Sequence, residues 1–167
     1  MLHKIKSHRL RLPPNVKCRK IKNNLHVEGP LGKLVLNLPL DFQQKGLWLV
    51  IENLRPEEKA RLQQAALGVA IGYKKQIHLV GVGYRARLEK EVLFLDLGYS
   101  HPIKISLPQG ISLECLKGNV LRLKACDLSL LNQFTASLRR FRFPDPYKAK
   151  GVLYKGENIK TKEGKKT

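Results

Sequence analysis

Along most of this chain apolar residues alternate with polar ones, and only twice does the period lengthen to that of a helix. Short alternating runs at 16–20, 24–28, 33–38 and 47–52 predict strands. Gly29-Pro30-Leu31-Gly32 supplies a turn between the second and third of them, and Pro39 with the segment 41–46 interrupts before the fourth. The period then changes. Pro56 stands where a helix can start, Glu57 and Glu58 fall at its positive end, and Leu62, Ala65, Ala66, Val69 and Tyr73 recur at helical spacing, with Gly72 placed to close it. Alternation returns over 75–88, with Gly81 and Gly83 as bend points. It continues through Leu93, Leu95 and Leu97, then Ile103, Ile105 and Leu107, and then a hairpin of Ile111–Leu116 and Val120–Ala125 joined at Lys117-Gly118-Asn119. A second helix follows, capped by Asp127 or Ser129, with Leu131, Phe134, Leu138 and Phe141 on one face. Arg139 and Arg140 lie in its last turn, and Pro144 ends it.

The two halves echo one another. Leu36-Asn37-Leu38-Pro39 resembles Ile105-Ser106-Leu107-Pro108 at an offset of 69. The strand at 47–50 aligns with 120–123 at an offset of 73, and Tyr73-Lys74-Lys75 with Tyr147-Lys148-Ala149 at an offset of 74. Near-equal offsets in the same strands-then-helix order indicate a duplicated unit. The expected fold is therefore α+β. It has two tandem similar subdomains, each a small, mainly antiparallel sheet packed with one helix, with basic N- and C-terminal extensions. The first unit spans 1–73 with a basic arm, and the second spans 74–167 with a basic tail.

Charge separates the ends from the body. The chain has 167 residues with 32 Lys and Arg against 13 Asp and Glu, a formal charge of +19 and a pI near 10.1. Residues 1–22 hold eight basic residues and no acid, and residues 139–167 hold ten basic and three acidic ones, so the two ends carry fifteen of the nineteen net charges. This layout calls for an anionic partner and suits a scaffold embedded in nucleic acid; its bland alternative is a pair of solvated tails. Cys18, Cys115 and Cys126 form no C-x-x-C pair and are odd in number, which suits reduced thiols of an intracellular compartment. No apolar run approaches the ~18 residues of a membrane span, and the N-terminus has neither a secretory h-region nor the pattern of a cleavable transit peptide.

Signs of chemistry are few. Gly81-Val82-Gly83-Tyr84-Arg85-Ala86 fits a relaxed dinucleotide pattern, but the chain continues into a turn and another strand, so no helix N-terminus follows to meet a pyrophosphate. Gly151 and Gly156 have loop spacing, yet Glu157 stands where a phosphate loop needs lysine. His3, His8, His26, His78 and His101 are scattered without metal-ligand spacing. Asp96 falls on the solvated face of its strand, and Ser100 lacks a nucleophile elbow. Nothing points to catalysis, a cofactor, a metal or a small-molecule substrate.

The C-terminal stretch is more informative. A helix ending Arg139-Arg140-Phe141-Arg142 runs into Pro144-Asp145-Pro146-Tyr147-Lys148-Ala149-Lys150-Gly151-Val152 and then a lysine-rich tail. Folded RNA is read mainly through shape, phosphates and 2′-hydroxyls, which calls for cations on irregular backbone. Tyr147 and Tyr154 are placed to stack on a base or sugar. Lys148, Lys150, Lys155, Lys160 and Lys162 are placed to meet phosphates, with Arg139, Arg140 and Arg142 at the helix end and Lys165 and Lys166 in the tail; Gly151 would let backbone approach the RNA strand. The structural alternatives are that Tyr147 packs beneath the corner, that Arg139 is a solvated helix end, and that Lys165 and Lys166 are tail residues ordered only on binding.

That stretch resembles the signature of the universal large-subunit ribosomal protein six family. Gly81-Val82-Gly83-Tyr84-Arg85-Ala86, Gly98-Tyr99-Ser100-His101-Pro102 and Lys162-Glu163-Gly164-Lys165-Lys166 resemble further blocks of it in the right order, and Val27-Glu28-Gly29-Pro30-Leu31-Gly32 its first hairpin. The resemblance implies two tandem α+β units and a non-enzymatic role. That role is binding large-subunit rRNA near the stalk base and the sarcin–ricin loop region, beside other large-subunit proteins and close to docking translational GTPases. It places most of the contact in the second unit and tail, assigns Tyr147, Lys148, Lys150 and Gly151 to RNA, and suits a mitochondrial ribosome, with a bacterial or plastid one as alternatives. The segment 57–73 is shorter than the family's bacterial pattern, which implies a first helix that is truncated or starts late. The chain also lacks the family's usual Asp-Lys-Gln after Cys126. A rival reading is an RNA-modifying or RNA-processing enzyme holding its substrate with basic tails. A cationic membrane-surface protein is disfavoured because the first helix is acidic at its start and rich in alanine.

Overall fold

A computed structural model of the chain describes residues 7–38, 41–52 and 54–163. Contacts divide it into two compact units, one comprising Met1–Tyr73 with Cys126–Leu128 and the other Lys74–Ala125 with Ser129–Thr167.

In the first unit, β1 (Ser7–Arg11), β6 (Trp48–Glu52) and β5 (Phe42–Lys45) form one antiparallel sheet in the order β1-β6-β5. β2 (Lys17–Ile21), β3 (Asn24–Gly29) and β4 (Gly32–Leu36) form a meander in the order β2-β3-β4. Helix α1 (Pro56–Ala70) completes the unit. Alternation decides which side chains turn inward. Leu10 lies opposite Leu49, His8 opposite Ile51 and Cys18 opposite Val27, and Leu10, Leu49, Ile51, Cys18 and Val27 are all buried. Leu62, Ala65, Ala66 and Val69 of α1 join the same core.

The helix begins where Pro56 allows it. Glu58 Oε2 accepts the Arg55 N–H at 3.0 Å, which satisfies an otherwise orphaned donor. Helix α1 runs for 15 residues from Pro56, where the sequence allowed a helix to start. The basic N-terminal segment is also built into the fold from Ser7 onward, because Leu10 and Leu12 reach the core in alternation with exposed Arg9 and Arg11. The part of the arm at residues 1–6 lies outside the described residues.

The second unit repeats the plan. β8 (Arg85–Glu89), β9 (Val92–Asp96) and β10 (Ile103–Ser106) form the meander. β11 (Ile111–Leu116), β12 (Val120–Ala125) and β7 (Tyr73–Val80) form the other sheet, in which β12 lies between β11 and β7 as β6 lies between β5 and β1. Helix α2 (Leu128–Arg140) buries Leu131, Phe134 and Leu138. Among the described residues, one element has no counterpart in the first unit. β13 (Gly151–Tyr154) pairs antiparallel with β7, Val152 opposite Leu79 and Tyr154 opposite Ile77, and extends the sheet to β11-β12-β7-β13. Among the described residues no helix is long and apolar enough to cross a membrane, no cluster of His, Cys, Asp and Glu is disposed to hold a metal ion, and the three cysteines are unbridged.

The glycines of Gly81-Val82-Gly83-Tyr84 lie in the turn from β7 to β8, and a strand follows them. A Cβ on Gly81 would fall 2.7 Å from the Tyr84 ring, so this glycine seats an aromatic side chain.

Candidate nucleic-acid interface

The amphipathic face of α2 anchors its C-terminal turn, and the corner that follows is closed largely through one residue. Asp145 Oδ1 accepts the Tyr147 N–H at 3.0 Å, its carbonyl accepts the Ala149 N–H at 2.8 Å, and its own N–H donates to the Lys150 carbonyl at 2.8 Å. Pro144 and Pro146 fix φ on either side of it. Gly151 lies buried at a φ of 151°, and a Cβ there would sit 2.7 Å from the Phe143 carbonyl oxygen and the Pro144 Cα. The close approach this glycine permits is to the chain's own corner. With the backbone turned inward, the side chains turn out: Tyr147 is 58% exposed, Phe143 is 62% exposed, and Lys148 and Lys150 are exposed. The reading in which Tyr147 packs beneath the prolines is therefore wrong. The Lys162 N–H donates to the Pro146 carbonyl at 2.9 Å, so the exposed Lys160 and Lys162 run back beside the corner.

The other candidates divide. Arg140 and Lys155 are exposed. Arg142 is exposed and its guanidinium lies 5.1 Å from the centre of the Tyr99 ring, whose hydroxyl donates to the Phe141 carbonyl at 2.7 Å. Arg139 is not a solvated helix end. It makes a two-pronged ion pair with Glu157, at 2.6 and 2.9 Å, and the same carboxylate accepts the Tyr154 N–H at 3.0 Å. The Tyr154 ring is half-buried and carries two cations, Arg139 and Lys75, each 5.2 Å from its centre. Arg139 and Tyr154 thus shape the end of β13 instead of presenting open surfaces. Lys165 and Lys166 lie outside the described residues.

A second basic surface escaped sequence reasoning. It is an open cleft of about 690 Å³. Lys74, Lys75 and Gln76 of β7 line it, with Arg122 and Lys124 of β12 and with Tyr154 and Lys155 at the end of β13. A carboxylate beside it, Glu114 on β11, is shared: Lys124 Nζ approaches one oxygen at 2.5 Å and Arg122 the other at 3.6 Å. The Lys124 hydrogen bond holds the Glu114 carboxyl below its ordinary range. The signal was present in the alternation of Arg122 and Lys124 with buried Leu121 and Leu123, but the run reads as an ordinary half-buried strand until β7 is set beside it.

Known proteins are similar to this chain in sequence. A protein named large ribosomal subunit protein uL6 in Mycoplasma pneumoniae is 40% identical over 92% of this chain and 94% of its own length. The chain belongs to the ribosomal protein L6 family. The family model for Ribosomal protein L6 matches residues 80–155, taking in β8 through α2, the Asp145 corner and β13. A second member, uL6 of Mycoplasmoides gallisepticum, is 38% identical over 93% of this chain and 94% of its own. A member named uL6m in Reclinomonas americana is 34% identical over 97% and 98%. Ribosomal protein L6 is a structural family and not one of enzymes, which removes the RNA-processing reading.

Proposed function

We propose that this chain is a structural constituent of the large ribosomal subunit that binds large-subunit rRNA near the stalk base and the sarcin–ricin loop region, supporting translation where translational GTPases dock. The observation that carries this reading is the Asp145 corner. A network of backbone bonds holds Tyr147, Lys148 and Lys150 outward on a rigid turn, the arrangement a phosphate-and-sugar surface requires. The half from residue 74 to 167 is the RNA-binding one, with Arg140, Arg142, Lys160 and Lys162 adding charge around the corner, Lys155 adding it past the end of β13, and Lys165 and Lys166 adding it in the tail. Arg139, Tyr154 and Gly151 contribute by holding its shape. Residues 1–73 form the partner unit. The relatives' names support the assignment to the large subunit, and a mitochondrial ribosome is compatible with uL6m of Reclinomonas americana.

Cofractionation on sucrose gradients tests it. The tagged protein is expected to travel with large subunits and to remain through a wash at moderate salt; recovery only in the ribosome-free fractions would overturn it. The ribosomes that carry it, mitochondrial or cytoplasmic, identify the compartment.

A further inference from the structure

We infer that the cleft across β12, β7 and β13 is a second RNA-backbone site, separate from the Asp145 corner, in which Lys74, Lys75, Arg122, Lys124 and Lys155 hold successive phosphates of one strand. The inference rests on the ribosomal reading above and adds to it a surface that the corner does not include.

Three observations carry it. Five cations line one open cleft, and the carboxylate beside it, Glu114, is already divided between Lys124 and Arg122. Like charges on adjacent strands repel one another, so the free protein gains nothing by gathering them around one cleft. An anion turns that repulsion into attraction. Second, the cations are spread over three neighbouring strands of known order. Strands lie ~4.8 Å apart, so the outer two are roughly 10 Å from one another, a span that several phosphates fill and one small anion does not. The cleft is also wide and open, with no enclosed seat for a small ligand. Third, the end of the cleft is fixed. Glu157 grips Arg139 and the Tyr154 N–H, the Tyr154 ring carries Lys75, and the Lys155 N–H donates to the Gln76 carbonyl at 3.1 Å. Lys75 and Lys155 are thereby held at the cleft. Contacts of this kind recognise the backbone without reading sequence, as folded RNA demands.

The test measures binding of full-length protein to purified large-subunit rRNA across a series of salt concentrations. The variants are Lys74→Gln with Lys155→Gln for the cleft, and Lys148→Gln with Lys150→Gln for the corner. Each lost phosphate contact should lower the slope of log K against log salt by about 0.7–0.9. The cleft variant is expected to bind at least about tenfold more weakly at moderate salt with a slope smaller by roughly 1.5, while melting at the wild-type temperature. Combining both pairs should weaken binding further than either alone. If the cleft pair binds like wild type while the corner pair weakens, the cleft proposal falls and the ribosomal reading stands. If neither pair changes binding, both readings of the RNA surface fall. A single Lys74→Glu variant serves as a check on folding, because a reversed charge on an exposed side chain that leaves both melting and binding unchanged also excludes the cleft.

Discussion

The two units share a strand plan and differ in what they place on the outer face of the same sheet. In the first unit the residues that alternate with buried Leu10, Leu49 and Ile51 are Arg9 and Arg11 on β1, Trp48 and Val50 on β6, and Gln43 and Lys45 on β5. Trp48 lies opposite Arg11 on one side and Lys45 on the other. In the second unit the corresponding positions are Lys74 and Gln76 on β7, Arg122 and Lys124 on β12, and Ser112 and Glu114 on β11. The first sheet also ends at β1, whereas the second continues past β7 into β13. The added strand brings the Asp145 corner, Lys155 and the tail with it. The apolar positions are kept and the outward ones diverge. The core therefore reflects what both copies need to fold, and the surface reflects what only one of them does.

The largest effect that separates the units is on assembly. Reversing Lys148 and Lys150 to Glu should remove most large-subunit incorporation on a sucrose gradient, since a repelled phosphate contact loses both attraction and counterion release. Reversing Arg9 and Arg11 should lower incorporation far less. Both pairs are exposed, so each is expected to shift stability by no more than ~0.5 kcal/mol per site. Equal losses from the two pairs would erase the functional contrast.

Core truncations come next and should not distinguish the copies. Phe134→Ala in α2 is expected to cost about 3–5 kcal/mol, and Leu62→Ala in α1 about 2–5 kcal/mol, both read from denaturant melts, because each side chain is buried among apolar neighbours. A melt unchanged by either would show that its helix is not packed as described.

A smaller effect belongs to the added strand. Glu157→Gln should cost about 1–3 kcal/mol, because the Arg139 guanidinium loses its charged partner and the β13 end is loosened. Rapid amide exchange at Tyr154 in that variant would accompany the loss. Among the described residues, the first unit has no counterpart to this contact.

The smallest effect is a pH dependence seated at Cys18 of the first unit. Burial pushes the Cys18 thiol from an ordinary value of about 9 up to about 11, whereas β8 carries Ala86 as the buried residue of the matching strand. The folded state disfavours the thiolate. Its contribution is therefore complete below pH 9, declines as the unfolded thiol ionises, and is lost as pH rises to about 11. Urea melts of wild type and Cys18→Ala from pH 8 to 11 should converge at the alkaline end, and the native thiol should resist alkylation at pH 8. Fast alkylation without unfolding would contradict its burial.

Much of this fold could be read from the chain. Alternation located the hairpin Ile111–Leu116 with Val120–Ala125, and helical spacing located α1 and α2, because in each case one face is continuously apolar. Three strands escaped. In β1 the arginines around Leu10 suggested a charged arm, in β5 only Phe42 is apolar, and in β13 the flanking lysines pointed to a solvent loop. β1 and β13 are held by partner strands distant in sequence, which local pattern does not register, whereas β5 pairs with the next strand, β6, but offers too few apolar residues to show an alternation. At the candidate site the exposed lysines of the corner were legible because prolines and glycine punctuate them. The inward roles of Arg139, Tyr154 and Gly151 were not, since they depend on Glu157, Lys75 and Phe143 meeting in space. The Lys74–Lys124 cleft was hidden for the same reason: its cations come from strands about fifty residues apart.

The contrast between the units is tested most directly by photocrosslinking. A benzoylphenylalanine is placed in intact large subunits either at position 147, replacing Tyr147, or at position 48, replacing Trp48. Irradiation is expected to join position 147 to large-subunit rRNA in high yield and position 48 to little or none. Absence of an rRNA adduct at 147, or equal adducts at both positions, would contradict the assignment of RNA binding to the second unit.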